Sequence, residues 1–377
     1  MCIIKQAAVR ALWQWTCTKF SISGIALRWF ESYLTDRLQF VSIDDFSSEA
    51  LQLNCGVPQG SVLGPLLYLL YTSPVADILR QHKMSFHLYA DDTQLYIPFS
   101  CNDDLSLNDS MILIENCLSD IDAWMTTNKL KLNKDKTEFL LFSSKHSPQL
   151  TLPSLQFGSD VITPSTHARN IGVIFDTHLT MVRHVNSICK SSFFHLRNIG
   201  KIRKYISLKT TETLVHAFIS SKLDNCNSLL FGLPNKVLNK LQSVQNAAAR
   251  IITLSHKHEH ITPILVNLHW LPIESRIKYK ILLLTFKSLH GLSPAYIQEL
   301  ISVYKPNRNL RSSSQVLLTA QSYNLKSYGR RSFSVAAPEL WNSLQYLFEI
   351  YQVWPLLKPN LKLTFQTSLF LVINVFC

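Results

Sequence analysis

The sequence predicts an α+β protein whose strands lie in the first half and whose second half is mainly helical. Two observations carry this. Apolar and polar residues alternate in two pairs of short runs, within 39–55 and 86–97, each pair split by a turn. From about residue 180 the apolar positions recur every three or four residues instead. Composition agrees: 47% of the 377 residues are apolar and 16% charged, which excludes disorder over most of the chain. The length allows two to three domains at the usual ~150 residues each.

Taken in order, Ile25 to Thr35 reads as an amphipathic helix through Ile25, Leu27, Trp29, Phe30, Tyr33 and Leu34. Gln39 to Ile43 and Leu51 to Cys55 alternate as strands around the polar turn Asp44 to Glu49. That hairpin feeds the loop Gly56-Val57-Pro58-Gln59-Gly60-Ser61-Val62-Leu63-Gly64-Pro65. The apolar run Leu66 to Leu79 reads as a buried helix opened by Pro65 and kinked at Pro74, because proline suits a first helical turn and disrupts a later one. In the second hairpin Phe86, Leu88 and Ala90 alternate with His87 and Tyr89, the chain turns at Asp91-Asp92, and Thr93 to Ile97 returns.

Leu105 to Asn128 is a helix, with Ile114, Leu118, Ile121 and Met125 on one face, and two short strands are expected around Leu130 to Leu132 and Glu138 to Phe142. Ser143, Ser144 and the prolines at 148, 153 and 164 mark a boundary near 143–180. Helical periods follow at Val185/Ile188/Cys189/Phe193/Leu196 and at Val237/Leu241/Val244/Ala248/Ile251.

Eight cysteines without a CxxC pair argue against a zinc ribbon and a disulfide framework. Lys5 and Arg10 interrupt the stretch a signal peptide would keep apolar, and Leu369 to Cys377 is too short to span a bilayer. A soluble, intracellular protein is expected, nuclear or cytoplasmic and not secreted, without a membrane partner.

The net charge of +12 is unevenly spread. Residues 1–150 hold 12 Lys/Arg against 16 Asp/Glu, and residues 151–377 hold 25 against 9. Between Asp176 and Glu212 lie seven basic residues and no acidic one: Arg183, Lys190, Arg197, Lys201, Arg203, Lys204 and Lys209. Six more fall between Glu299 and Glu339. One-sign stretches of this kind are the footprint of a polyanion, most simply nucleic acid, although solvated helix faces also produce them.

The chemistry is concentrated in two motifs. Adjacent carboxylates at a tight turn, Asp91 and Asp92, repel each other unless a cation neutralises them, and hard Mg²⁺ (or Mn²⁺) takes such oxygen ligands together with substrate phosphates. Asp-rich turns are common, so the pair alone is weak evidence. The glycine loop adds to it. Gly56, Gly60 and Gly64 are three of only ten glycines, and a Gly-x-Pro-x-Gly loop lets backbone approach a ligand with no Cβ in the way, with Gln59 able to reach a base or sugar edge. Ser61 reads as helix-entry capping rather than as a nucleophile. Three histidines at 256, 258 and 260 follow a helix and read as a solvated loop rather than a metal site.

Gly56 to Pro65 (GVPQGSVLGP) followed by Tyr89 to Asp92 (YADD) resembles the reverse transcriptases of non-LTR retrotransposons, of the jockey and LINE kind. Ile22 to Arg37 is similar to the segment preceding the glycine loop in that family. Asn128 to Phe142 (NKLKLNKDKTEFLLF) is similar to the one following the catalytic hairpin, and Arg169 to Asp176 to the strand turn entering the thumb. The resemblance covers about residues 20–344.

It implies a right-hand polymerase palm in 20–145, a connection in 146–180, a basic helical thumb in 181–255 and a helical, basic extension in 256–344, between unmatched segments 1–19 and 345–377. It also implies Asp91 and Asp92 as metal ligands, Pro58, Gln59, Gly60, Ser61 and Tyr89 at template and incoming nucleotide, and Lys136 as a candidate proton donor to pyrophosphate. An exposed lysine in the polar turn Asn133 to Lys136 is the more ordinary reading of Lys136. The implied partners are an RNA template, a DNA primer and deoxynucleoside triphosphates, with phosphate contacts from Arg183, Lys190, Arg197, Lys201, Arg203 and Lys204.

The family uses a third aspartate on an earlier palm strand, upstream of the Gly24–Tyr33 helix, and no acidic residue precedes Glu31. The expectation is therefore an N-terminally truncated element with impaired polymerase activity, unless Asp44 or Asp45 supplies the ligand. The alternative is a non-catalytic nucleic-acid-binding or structural remnant.

Overall fold

The computed structural model describes residues 19–52, 60–98, 104–128, 130–143, 154–158, 160–306, 316–325 and 328–351. They form an α+β protein of two compact units, one holding the described residues up to Asn170 and the other those from Ile171 onward. Among the described residues no helix is long and apolar enough to cross a membrane.

In the first unit, helix α1 (Gly24–Leu34) buries Leu34 and lays Phe30 and Tyr33 on the core. Four dipeptide strands follow: β1 (Leu38–Gln39) pairs with β4 (Leu51–Gln52), and β2 (Ser42–Ile43) with β3 (Phe46–Ser47). The chain thus reverses at Asp44-Asp45, where Asp44 has φ +51°, and Phe46-Ser47 belong to a strand rather than to the expected turn. All eight residues are exposed, so no buried face pins a longer register. The expected run through Leu53 to Cys55 lies outside the described residues.

The next apolar run forms two helices, α2 (Gly64–Thr72) and α3 (Val75–Gln81), where a single kinked one was expected. Pro74 has no N–H to continue the ladder, and the Ser73 hydroxyl donates back to the Leu70 carbonyl at 2.7 Å. Leu67, Tyr71, Val75 and Leu79 are buried in the core they share with α4 (Asp104–Thr127). On α4 the buried residues Met111, Ile114, Leu118, Ile121 and Met125 step by three and four, as an apolar face requires.

The strands expected around Leu130 to Leu132 and Glu138 to Phe142 do not form. Leu130 donates its amide to Met125 O at 2.8 Å, closing the end of α4, and Lys134–Lys136 makes a 3₁₀ turn. Only Phe139 bridges, to Pro164. Leu130, Leu132, Phe139 and Leu140 are nonetheless buried, so their apolar pattern records packing without a ladder. The unit closes with the hairpin of β7 (Leu155–Phe157) and β8 (Asp160–Ile162), tied to α4 by the Gln156 amide donating to Glu115 Oε1 at 2.7 Å, and with β9 (His167–Asn170).

The second unit begins with β10 (Val173–Asp176) and continues in helices: α5 (Val182–Ile202), α6 (Leu208–Val215), a π-helical turn (His216–Ser220), α7 (Ser221–Asp224), α8 (Asn235–Thr253), α9 (Ile261–Asn267), α10 (Ile273–Leu289), α11 (Ala295–Gln298) and α12 (Phe333–Tyr351). Its core joins the α5 face Val185, Leu196 and Ile199 to Leu241, Val244, Ala248 and Ile252 of α8.

Two charged side chains hold the irregular stretches. The Asp176 carboxylate accepts from the amides of His178 (3.2 Å), Thr180 (2.9 Å) and Met181 (2.9 Å) and from the Thr180 hydroxyl (2.9 Å), so it caps the entry to α5 where Met181 sits at φ +59°. The Arg331 guanidinium turns inward and donates to the carbonyls of Leu179 (2.8 Å), Leu229 (3.0 Å) and Phe231 (3.1 Å). Beside it, Gly232 has φ +70°, and a Cβ there would stand 3.0 Å from Arg331 Cγ.

Candidate active site

The carboxylate pair sits on the hairpin of β5 (Ser85–Tyr89) and β6 (Asp92–Tyr96), whose register runs from Ser85↔Tyr96 to Tyr89↔Asp92. The two-residue loop is therefore Ala90-Asp91, one residue earlier than the expected Asp91-Asp92 turn. Asp92 is already the first strand residue. Such tight loops need positive φ, and Ala90 supplies it at +54°, a conformation that costs a non-glycine residue of the order of 1 kcal/mol or more.

Strand alternation gives the hairpin two unlike faces. Phe86 and Leu95, directly paired, turn to the core, with the Arg80 guanidinium 5.8 Å from the Phe86 ring. Toward the tip this apolar side borders a cavity of about 220 Å³, walled by Leu88, Ala90 and Thr93 of the hairpin and by Tyr68, Leu69 and Thr72 of α2. The helix entered from the glycine loop and the carboxylate hairpin thus share one wall.

The other face is polar. It carries Tyr89 and His87 from β5 and Asp92, Gln94 and Tyr96 from β6, with His87 directly opposite Gln94. The His87 and Tyr96 rings stack 5.6 Å apart, and burial holds the His87 imidazole below its ordinary pKa, so it is neutral at pH 7. Gln94, almost wholly buried, donates its amide to Asn170 Oδ1 on β9.

Asp91 and Tyr89 are exposed at the tip, while Asp92 is partly buried. Burial raises the Asp92 pKa, the charge of Asp91 raises it further, and Lys136 opposes the rise. The structure therefore brings Asp91, Asp92 and Lys136 into one electrostatic neighbourhood, with Lys136 on the 3₁₀ turn after α4.

Of the glycine-loop residues, Pro58 and Gln59 lie outside the described residues. Gly60 is exposed at φ +83°, with open space where a Cβ would stand, so its backbone angle and not crowding calls for glycine. Ser61 accepts the Gly64 amide at 3.1 Å on Oγ, a capping contact at the entry to α2. Among the described residues no cluster of three or more His, Cys, Asp or Glu side chains is placed to hold a metal ion, so neither Asp44 nor Asp45 joins the pair.

Residues 6–175 match the family described as reverse transcriptase (RNA-dependent DNA polymerase). The chain is 27% identical over 234 residues to a probable RNA-directed DNA polymerase from transposon BS of Drosophila melanogaster, covering 59% of this chain and 25% of that protein. It is 27% identical over 168 residues to the RNA-directed DNA polymerase from mobile element jockey of the same organism, covering 42% and 17%. Residues 6–175 are thus similar to the reverse transcriptases, of the jockey-like, non-LTR kind. A third D. melanogaster relative, a probable RNA-directed DNA polymerase from transposon X-element, is 27% identical over 236 residues, covering 59% and 24%. The chain spans about a quarter or less of the length of these relatives.

The basic residues of the second unit sort by exposure. At 100° per residue, Arg183, Lys190, Arg197 and Lys201 of α5 stay within about 40° of one line that runs about 27 Å along the helix. All four are exposed, on the side opposite the buried Val185, Ser192, Leu196 and Ile199. Lys204, also exposed, lies over the Tyr205 ring at 4.8 Å. Arg203 does not join them. Its guanidinium donates to the carbonyls of Ile206 (3.2 Å), Ile251 (3.0 Å) and Ile252 (2.9 Å), binding the end of α5 to the end of α8. The buried partners Gln94 and Asn170 carry no such signal in the sequence, where each reads as an ordinary polar strand residue.

Proposed function

We propose that this chain is part of an RNA-directed DNA polymerase that works by two-metal nucleotidyl transfer, with Asp91 and Asp92 as ligands. The observation that carries this is the adjacent pair Asp91 and Asp92 at the end of the β5–β6 hairpin, where burial first and the charge of Asp91 second raise the Asp92 pKa, both of which a divalent cation offsets. Two adjacent carboxylates suit Mg²⁺ or Mn²⁺, which retain waters and accept substrate phosphates in their remaining positions. When bound, the metal pair stabilises the attacking and leaving oxygens of the phosphoryl displacement.

The chain's own residues divide the rest. The polar hairpin face, stiffened by the His87–Tyr96 stack and the Gln94–Asn170 bond, keeps Asp92 in place. Tyr89 and the glycine loop through Pro58, Gln59, Gly60 and Ser61 border template and incoming nucleotide. Lys136 offers a proton to departing pyrophosphate. The exposed α5 stripe of Arg183, Lys190, Arg197 and Lys201, with Lys204, takes the phosphates of an RNA–DNA duplex, so affinity falls steeply with salt.

Activity is low in this reading, because two carboxylates hold a metal pair less firmly than three. Because no group of three or more His, Cys, Asp or Glu side chains comes together among the described residues, a second reading is a nucleic-acid-binding remnant without catalysis. Mg²⁺-dependent primer extension on an RNA template distinguishes the two. Weak extension abolished by Asp91→Ala supports the polymerase, whereas duplex binding with no extension at any Mg²⁺ concentration supports the remnant.

A further inference from the structure

The second unit exposes aromatic rings beside its basic stripe. Phe194 is 60% exposed although it lies on the same line of α5 as the cations, with Lys190 one turn before it and Arg197 one turn after. The neighbouring His195 ring meets Phe194 edge-on at 5.4 Å and stacks on Phe218 at 4.9 Å and 17°. Phe218 is itself exposed, and it comes from the π-helical turn His216–Ser220, an irregularity that often marks functional sites. The three rings are contiguous, and past the end of α5 Tyr205 is 75% exposed under Lys204.

A phosphate-only contact with a duplex uses the cations and leaves the rings idle. Water-exposed Phe194 is better covered by a flat apolar surface that arrives with negative charge. An unstacked base on a phosphodiester strand is such a ligand, because every base has a π-face and every phosphate can meet a flanking Lys or Arg. A protein partner is disfavoured, since the cores of protein interfaces are depleted in charge and these rings sit among cations with no acidic residue between Asp176 and Glu212.

We propose that Phe194, backed by His195 and Phe218, is a stacking platform for a base of single-stranded nucleic acid, the flanking Lys190 and Arg197 holding its phosphates. This rests on the nucleic-acid reading of the basic face given above and extends it from duplex phosphates to unpaired bases.

The test uses the full chain and fluorescence anisotropy with three probes: a single-stranded oligonucleotide of about 12 residues, an abasic strand of the same length, and an RNA–DNA duplex. Phe194→Ala, at an exposed position, should weaken the base-bearing single strand about tenfold, the loss of one stacked base. It should leave the abasic strand, the duplex and the salt slope unchanged. Phe194→Trp should retain single-strand binding and show quenching of the new indole on binding. If Phe194→Ala weakens all three probes alike, or none, the platform is refuted while a salt slope on the duplex keeps the basic-face reading. If no probe binds with a salt slope, both fall.

Discussion

Replacing Arg331 by methionine should remove about 3 kcal/mol from the stability of the second unit. The guanidinium makes three charge-assisted bonds to backbone carbonyls, each worth roughly 1.5–3 kcal/mol. Against their sum stands the desolvation that the buried cation no longer suffers once removed, a cost of several kcal/mol that also lowers the Arg331 pKa. Methionine fills most of the space but leaves the carbonyls of Leu179, Leu229 and Phe231 without their donor, so the net is the cost of orphaned acceptors, about 1–3 kcal/mol each, less the desolvation relieved. Lysine, with a single ammonium that cannot span three carbonyls, should lose about half as much.

Urea unfolding of the full chain, followed by hydrogen exchange of the α5 and α8 amides, measures both losses in the second unit. A Met variant within about 0.5 kcal/mol of the parent would show that the guanidinium holds nothing, since surface changes are of that size. The lysine variant also bears on binding. Arg331→Lys should leave the salt slope for RNA–DNA duplex unchanged, whereas Arg197→Ala should lower it by about one unit.

Asp176→Ala should destabilise the start of α5 by about 2 kcal/mol, because three amides and a hydroxyl lose one acceptor, and Asp176→Asn should retain part of this through its single carbonyl. Exchange rates of the Thr180 and Met181 amides report it directly, and unchanged protection in the Ala variant would exclude the capping role. Burial pushes the Cys117 thiol up to about 11, with the Asp120 charge adding to the rise, so at pH 8 a thiol reagent should label Cys117 only after unfolding. The unfolded thiol releases its proton near 8.5 and the folded one later, so stability should fall as pH rises between those values, read by repeating the urea titration.

The sequence made the core-facing side of α4 legible from Ile114 to Met125, where nothing but burial acts on the apolar residues, and the structure extends that face to Met111. It also located Asp91 and Asp92 on a hairpin, since alternation brackets them closely. The loop register was another matter. Placing the turn at Ala90-Asp91 requires a left-handed alanine, which propensity argues against, and strand pairing overrode it. Leu130 to Leu132 alternated like a strand because their burial has the same period, and only hydrogen bonds tell the two apart. Charge was least legible. Arg183 and Arg203 look alike in a list of basic residues, yet one faces solvent and the other caps two helix ends, a difference set by what the fold places 48 residues later at Ile251.

The Asp176 cap makes the loop Thr177 to Met181 tolerant in one respect and intolerant in another. Three of its four hydrogen bonds come from main-chain amides, which any residue but proline supplies, so the cap itself does not depend on which side chains stand at 177 and 178. The count of residues is not free. Deleting one would start α5 a residue late and swing every side chain on it by about 100°, carrying the cationic line toward the Leu241–Val244 face of α8. In a randomised library this segment should reject insertions and deletions while keeping a threonine or serine at 180 and an apolar residue at the buried position 181.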